Sequence, residues 1–196
     1  MGIMTKLFYN DKQIIGLDIS NTGIKIMAID TKRWLVLGYG SIDLEPVKVK
    51  ESLEGDSSYL ADNVKKLLKE NIIGTLPSNH VALAVPTAKS YSRTFTLPIS
   101  VEKNLKDAVE LEVDQYVPIP ASTLYIDYQI IERTKKEIVI LMSAISRSIV
   151  DKCIAAAEGA GLSVSLVEPG MNSVARLVKN TEDGELPTVI VDIGPA

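Results

Sequence analysis

Ile14-Ile15-Gly16-Leu17-Asp18-Ile19-Ser20-Asn21-Thr22-Gly23-Ile24-Lys25 is the stretch that decides how this chain is read. Its first half is apolar and β-branched, which favours an extended strand. Small hydroxyl, amide and glycine residues then turn the chain, and residues 24–30 begin a second strand. The first strand carries one carboxylate, Asp18, to the mouth of the turn. Successive backbone N–H groups in a turn of this composition can form an anion-binding concavity. Lys25, two residues past Gly23, is then a point charge for phosphate, and Asp18 a carboxylate for a Mg2+ shell held through water. The plainer reading is an ordinary hairpin with Asx and glycine turn chemistry, a strand-end acid and an exposed lysine. The stretch by itself leaves both open.

Outward from it, residues 34–44 read as a third strand, which makes an antiparallel meander and puts Trp34, near its start, in the core. Residues 46–56 are polar and read as a connection. Ser57 or Ser58 then caps a helix whose Leu60, Val64, Leu67 and Leu68 recur at helical spacing, ended by Gly74 and Pro77. Residues 81–85 are apolar on both faces, as in a strand inside a sheet. After Pro86 the texture changes. Residues 91–97 alternate, a helix runs from Ser100 to Tyr116 and is broken by Pro118 and Pro120, and residues 124–133 and 137–145 are two more strands. A helix over 147–160, closed by Gly161, completes a β-α-β-β-α unit. A strand (162–167), a helix (169–179), a polar linker (180–187) and an apolar strand (188–193) follow.

Composition narrows the chemistry. The 196 residues are 46% hydrophobic, enough to fill a core, and carry a net charge of −4, which disfavours nucleic acid as a partner. One Cys and one His exclude a disulfide framework and a Cys/His zinc site. His80 opens an apolar run and Cys153 sits beside Ala155, Ala156 and Ala157, so each reads as structural rather than catalytic. Glu110, Glu112 and Asp114 at i, i+2 spacing do not face one another on a helix. Lys65, Lys66 and Lys69 read as a solvated helix face, with acidic lipid as the alternative. The opening MGIMTKLFYNDKQ lacks a secretory apolar core, and no run approaches the roughly 18–20 apolar residues of a membrane span.

Thr188-Val189-Ile190-Val191-Asp192-Ile193-Gly194 repeats the first strand's pattern of β-branched run, Asp, then Gly. Two such strands behind a β-β-β-α-β start resemble the ribonuclease H-like, actin-like superfamily, in which two related halves each offer a phosphate-binding hairpin to one nucleotide. Further residues narrow the resemblance: Leu97-Pro98, Gln115-Tyr116-Val117-Pro118-Ile119-Pro120, Asp127-Tyr128-Gln129 and Leu166-Val167-Glu168-Pro169. These look like the PilM family of type IV pilus assembly, itself similar to the division protein FtsA. The resemblance implies an α/β fold. Its parts are an actin-like subdomain 1A (1–86 and 162–180), an inserted subdomain 1C (87–161), and a linker with the first strand of the second half (181–196), truncated before subdomains 2A and 2B.

The resemblance further implies a nucleotide-binding scaffold rather than a metabolic enzyme, cytoplasmic and peripheral at the inner membrane. Its implied partners are the N-terminal tail of a PilN-like membrane protein and other proteins of the pilus assembly platform. Ser20, Asn21, Thr22, Gly23 and Lys25 match the first phosphate loop, Asp18 the metal-side carboxylate, and Asp192 with Gly194 the start of the second loop. Asp18 and Asp192 would face Mg2+ through water in the intact protein. Glu168 stands where the superfamily places a carboxamide or carboxylate near the hydrolytic water, with Pro169 after it as a departure. Pro195-Ala196 replace the usual glycine- and threonine-rich continuation, so ATP and Mg2+ are expected in the intact protein and not on this chain alone. The strand over 188–193 is expected to pair between copies, because its apolar side chains and backbone groups otherwise lack neighbours. An FtsA-like division protein and half of a sugar- or acetate-kinase-type phosphotransferase are the alternatives.

Overall fold

The computed structural model describes residues 13–86, 90–181 and 189–191. These divide into two compact units: the chain up to Pro86 together with the chain from Lys152 on, and the segment between, which ends at Asp151. The boundary falls inside a helix, ten residues before the Gly161 limit read from the sequence.

In the first unit, β1 (Ile15–Ile19), β2 (Gly23–Asp30) and β3 (Leu35–Asp43) form the expected antiparallel meander. Helices α1 (Pro46–Glu54) and α2 (Tyr59–Glu70) follow, then β4 (Ile72–Gly74) and β5 (His80–Val85). After the second unit the chain returns through β9 (Ser163–Pro169) and α5 (Gly170–Thr181). The sheet order is β4-β3-β2-β1-β5-β9, with β1, β5 and β9 mutually parallel. Strand alternation puts Ile15, Leu17, Ile19, Ile24, Ile26, Val81, Leu83 and Val85 on one face, all buried. Val49 and Leu53 of α1 and Leu60, Val64 and Leu67 of α2 are buried as well, and α2 packs on β2 and β3. At about 1.5–3 kcal/mol for each fully buried large aliphatic side chain, this one face supplies most of the unit's cohesion.

Three expectations are corrected here and one is refined. Residues 46–54 are helical, because Pro46 sits at the first helical position and Val49, Ser52 and Leu53 give a short buried stripe within a polar segment. The start of α2 bears out the cap read at Ser57 or Ser58: Ser58 holds the N-cap position and the Ser57 hydroxyl accepts the Tyr59 N–H (3.2 Å), while the Ser52 hydroxyl adds a bond to the Ser57 carbonyl (2.9 Å) and accepts from the Leu60 N–H (3.4 Å). Trp34 is not in the core but 73% exposed, in the turn before β3 and with φ at 53°. Val189, Ile190 and Val191 lie in no strand, and Val189 and Val191 are exposed.

The second unit holds β6 (Ser90–Pro98), α3 (Leu105–Tyr116), β7 (Leu124–Arg133), β8 (Glu137–Ser146) and the start of α4 (Arg147–Gly159). Its order along the chain is the β-α-β-β-α read from the sequence. A 3-10 turn over Ile99–Asn104 precedes α3, where the sequence suggested helix from Ser100. The sheet is antiparallel, ordered β6-β8-β7. Ile138, Ile140 and Met142 of β8 meet Val109 and Val113 of α3 in one apolar cluster. Arg93 stacks 3.6 Å from the centre of the Tyr116 ring at the end of α3, so this member of the Gln-Tyr-Val-Pro run is held by a cation–π contact. Cys153 is buried in α4, and burial pushes its thiol up to about 12, so it is a packing residue and not a nucleophile.

Candidate functional site

The second face of the six-stranded sheet carries a different set of residues. Because side chains alternate, Gly16 and Asp18, Lys25 and Met27, Tyr39 and Ser41, and Ala82 and Ala84 all point away from the buried core. The register then aligns them across strands. Ser41 pairs with Lys25, Lys25 with Asp18, Asp18 with Ala84, and Ala84 with Glu168, which forms one lateral row over five strands. A second row runs from Tyr39 through Met27 and Gly16 to Ala82. Together these residues line an open cavity of about 440 Å3, with Ser173 of α5 at its edge. Its floor is made of the smallest side chains, Gly16, Ala82 and Ala84, flanked by charge on both sides.

Three residues singled out from the sequence therefore meet: Lys25 and Asp18 are cross-strand partners, and Glu168 stands two strands from Asp18, about 10 Å away at strand spacing. The Glu168 carboxylate is gripped by Arg176 of α5, whose Nη2 lies 2.5 Å from each carboxylate oxygen. Such charge-assisted contacts to both oxygens fix a carboxylate's position.

The turn itself behaves otherwise. Ser20 donates both its N–H (2.9 Å) and its hydroxyl (3.0 Å) to the Gly23 carbonyl, and the Leu44 N–H donates to Thr22 O (2.9 Å). The Ser20 N–H thus closes the hairpin instead of joining an anion concavity. Ser20, Asn21, Thr22 and Gly23 are not among the residues that line the cavity. Asp192 and Gly194 lie outside the described residues. Among the described residues no group of three or more acidic, His or Cys side chains is arranged to hold a metal. A Mg2+ ion bound here would keep most of its waters, as that ion ordinarily does beside one or two carboxylates and a phosphate.

Sequence reasoning missed Gly16, Ala82, Ala84, Ser41 and Arg176. Residues 81–85 read as apolar on both faces; the finer signal is size alternation, large Val81, Leu83 and Val85 against small Ala82 and Ala84. Arg176 needed the packing of α5 against β9, eight residues from Glu168, which no local pattern states.

A 3-2-1 antiparallel meander continued by parallel strands, one face packed on helices and the other bearing a carboxylate and a lysine across from each other, defines one half of an actin-like fold. An inserted antiparallel unit interrupts it after β5. Over residues 16–194 the chain matches the family described as type IV pilus assembly protein PilM, and it belongs to that family. This resolves the alternatives left by the sequence in favour of PilM. Among solved structures, the chain is similar to a PilM–PilN type IV pilus biogenesis complex, with 20% identity, a TM-score of 0.71, and 85% of this chain against 52% of that one covered. It is also similar to the cytoplasmic domain of EpsL, an inner-membrane component of the Vibrio cholerae type II secretion system, with 9% identity, a TM-score of 0.53, and 80% against 57% covered. The chain thus spans little more than half the length of the solved relatives it matches.

Proposed function

We propose that this chain is the part of a PilM-like adaptor that supplies one wall of a nucleotide site and engages the cytoplasmic tail of a PilN-like partner. The observation that carries the nucleotide part is the cross-strand row Lys25–Asp18–Ala84–Glu168 over a floor of small residues. A floor of Gly16, Ala82 and Ala84 leaves room for a flat or polyanionic ligand against the backbone, so the residues present fit ATP with Mg2+. Lys25 would hold a phosphate as a point charge, and Asp18 would orient the ion's waters; the bound ion supplies charge neutralisation to the phosphates. Asp192 and Gly194 would open the other wall, and the rest of it would lie in the length of the relatives that this chain does not cover.

Glu168 supports binding over hydrolysis. A general base needs a carboxylate oxygen directed at water, and both of its oxygens are held by Arg176. The partner reading rests on the family and on the likeness to a PilM–PilN complex. An extended tail bound by this fold would use main-chain hydrogen bonds with alternate side chains in pockets. Among the described residues no helix is long and apolar enough to cross a membrane, which is compatible with attachment at its inner face through the partner.

Amide signals of the 196-residue chain, followed in separate titrations, test both parts. Mg-ATP is expected to move signals along Lys25, Asp18, Ala84 and Glu168, weakly, since half the polar contacts are missing at about 1 kcal/mol or more each. Shifts confined to the second unit would overturn the nucleotide reading. A synthetic PilN-like N-terminal tail is expected to give a saturable, localised set of shifts; an even spread, or none, removes the adaptor reading.

A further inference from the structure

The β2–β3 hairpin ends in a tip that its own fold does not use. Asp30 Oδ1 accepts the backbone N–H groups of Lys32 (2.9 Å) and Arg33 (3.1 Å), which curls the chain into the turn. The next residue, Trp34, has φ at 53° and is 73% exposed; Leu35 and Val36 after it are each 54% exposed. The left-handed region is adopted freely by Gly and readily by Asn or Asp, whereas in a residue as bulky as Trp it is strained. A turn selected only for folding would have a small residue here. Instead the strained position carries the largest side chain available, buried in nothing, and two consecutive strand residues that both face solvent.

Lys32 and Arg33 stand directly beside this apolar group, both exposed, on a chain whose net charge is −4. The tip therefore combines two cations with an aromatic and two aliphatic side chains, all exposed at the end of a hairpin. Exposed apolar side chains with cations beside them suit the interface of an anionic bilayer, while a protein partner would need a matching pocket. Tryptophan prefers the polar–apolar boundary of a bilayer, and cations beside it meet lipid phosphates.

We propose that the tip formed by residues 32–36 docks on an anionic bilayer surface, with Trp34, Leu35 and Val36 at the interface and Lys32 and Arg33 against lipid phosphates. The proposal stands independently of the nucleotide row and of the tail-binding reading.

Trp34 is the single tryptophan of the chain, so its emission reports this contact and no other. With vesicles of equal parts phosphatidylglycerol and phosphatidylcholine, the emission is expected to shift to the blue, and the shift to fade as salt is raised. Pure phosphatidylcholine is expected to leave it unchanged. Each cation near an anionic surface is worth about fivefold in partition, so Lys32→Gln with Arg33→Gln should weaken binding about 30-fold. Lys65→Gln with Lys66→Gln, on the exposed side of α2, should leave it as it was. Vesicle sedimentation of Trp34→Ser, which removes the fluorophore, should show loss of the bound fraction. The proposal is overturned by an emission that ignores anionic vesicles, by equal shifts on both vesicle types, or by dependence on Lys65 and Lys66 instead. It is equally overturned if a PilN-like tail peptide shifts Trp34 while vesicles do not, since the tip would then be a protein contact.

Discussion

Two glycines of the same sheet should respond to substitution with opposite sign. Gly16 lies on the cavity floor, and a Cβ built there meets only the Met27 carbonyl oxygen, at 3.8 Å, an ordinary contact. Glycine in mid-strand gives up more backbone freedom on folding than any other residue, about 0.5–1 kcal/mol relative to Ala, and a β-branched side chain adds strand preference. Gly16→Val should therefore stabilise the chain by about 1 kcal/mol while placing two methyl groups over the row of Lys25 and Asp18. Gly38, in β3, is the reverse case. A Cβ there would lie 2.6, 2.7 and 2.8 Å from the O, N and C atoms of Thr75, all backbone, where 3.4 Å is normal. The Thr75 N–H donates to Leu37 O (2.9 Å) at that point, so relief means parting β3 from β4. Overpacking of this kind costs about 1–3 kcal/mol, more than the entropy that Ala would recover. Urea midpoints of the two variants beside the parent measure both, at unchanged slope. Mg-ATP titration of Gly16→Val should at the same time lose the shifts along the row, a change of at least about tenfold in affinity. If Gly38→Ala unfolds with the parent, or Gly16→Val unfolds as early as Gly38→Ala, the account of this sheet face fails.

Other perturbations separate further parts of the structure. Ile140, wholly buried between α3 and its sheet, should cost about 2–5 kcal/mol as Ile140→Ala, a large share of what so small a unit possesses; hydrogen exchange should quicken across β6, β7 and β8, and unchanged protection there would refute the assigned core. Arg176→Ala should destabilise by at most about 1 kcal/mol, because the arginine is more than half exposed, and Arg176→Lys should restore most of it, since one nitrogen makes both contacts and an ammonium can stand in its place; no rescue by Lys would show that the ion pair is not what Arg176 contributes. Burial raises the Cys153 thiol from about 9 to about 12 in the folded chain, so its contribution is intact below pH 9 and declines as pH climbs toward 12, where only the unfolded chain ionises readily. Unfolding measured at pH 8 and pH 10 should show a steeper loss for the parent than for Cys153→Ala, and equal losses would contradict the burial.

Much of this was legible without coordinates, because it depends on short-range periodicity. The meander of β1, β2 and β3, the β-α-β-β-α order of the second unit and the buried Cys153 follow from alternation, helical spacing and the placement of Pro and Gly, all of which act within a few residues. Asp18 and Lys25 could both be singled out because one hairpin holds them; that they stand directly across from each other came with the register. The helix at 46–54 escaped because its buried stripe is only three residues, and the exposure of Trp34 escaped because composition says that a lone Trp belongs inside. What only the tertiary structure decided is the face. Glu168 lies 150 residues beyond Asp18 in the chain and joins its row solely through the parallel register of β5 with β1 and β9. Arg176 reaches it because α5 packs back on β9. The Ser20 N–H, promising as an anion donor in the sequence, is taken up by the Gly23 carbonyl once the hairpin closes. A sequence determines which residues can form strands and turns; which donors remain available, and which charges stand side by side, follows from pairing across distances that no local pattern encodes.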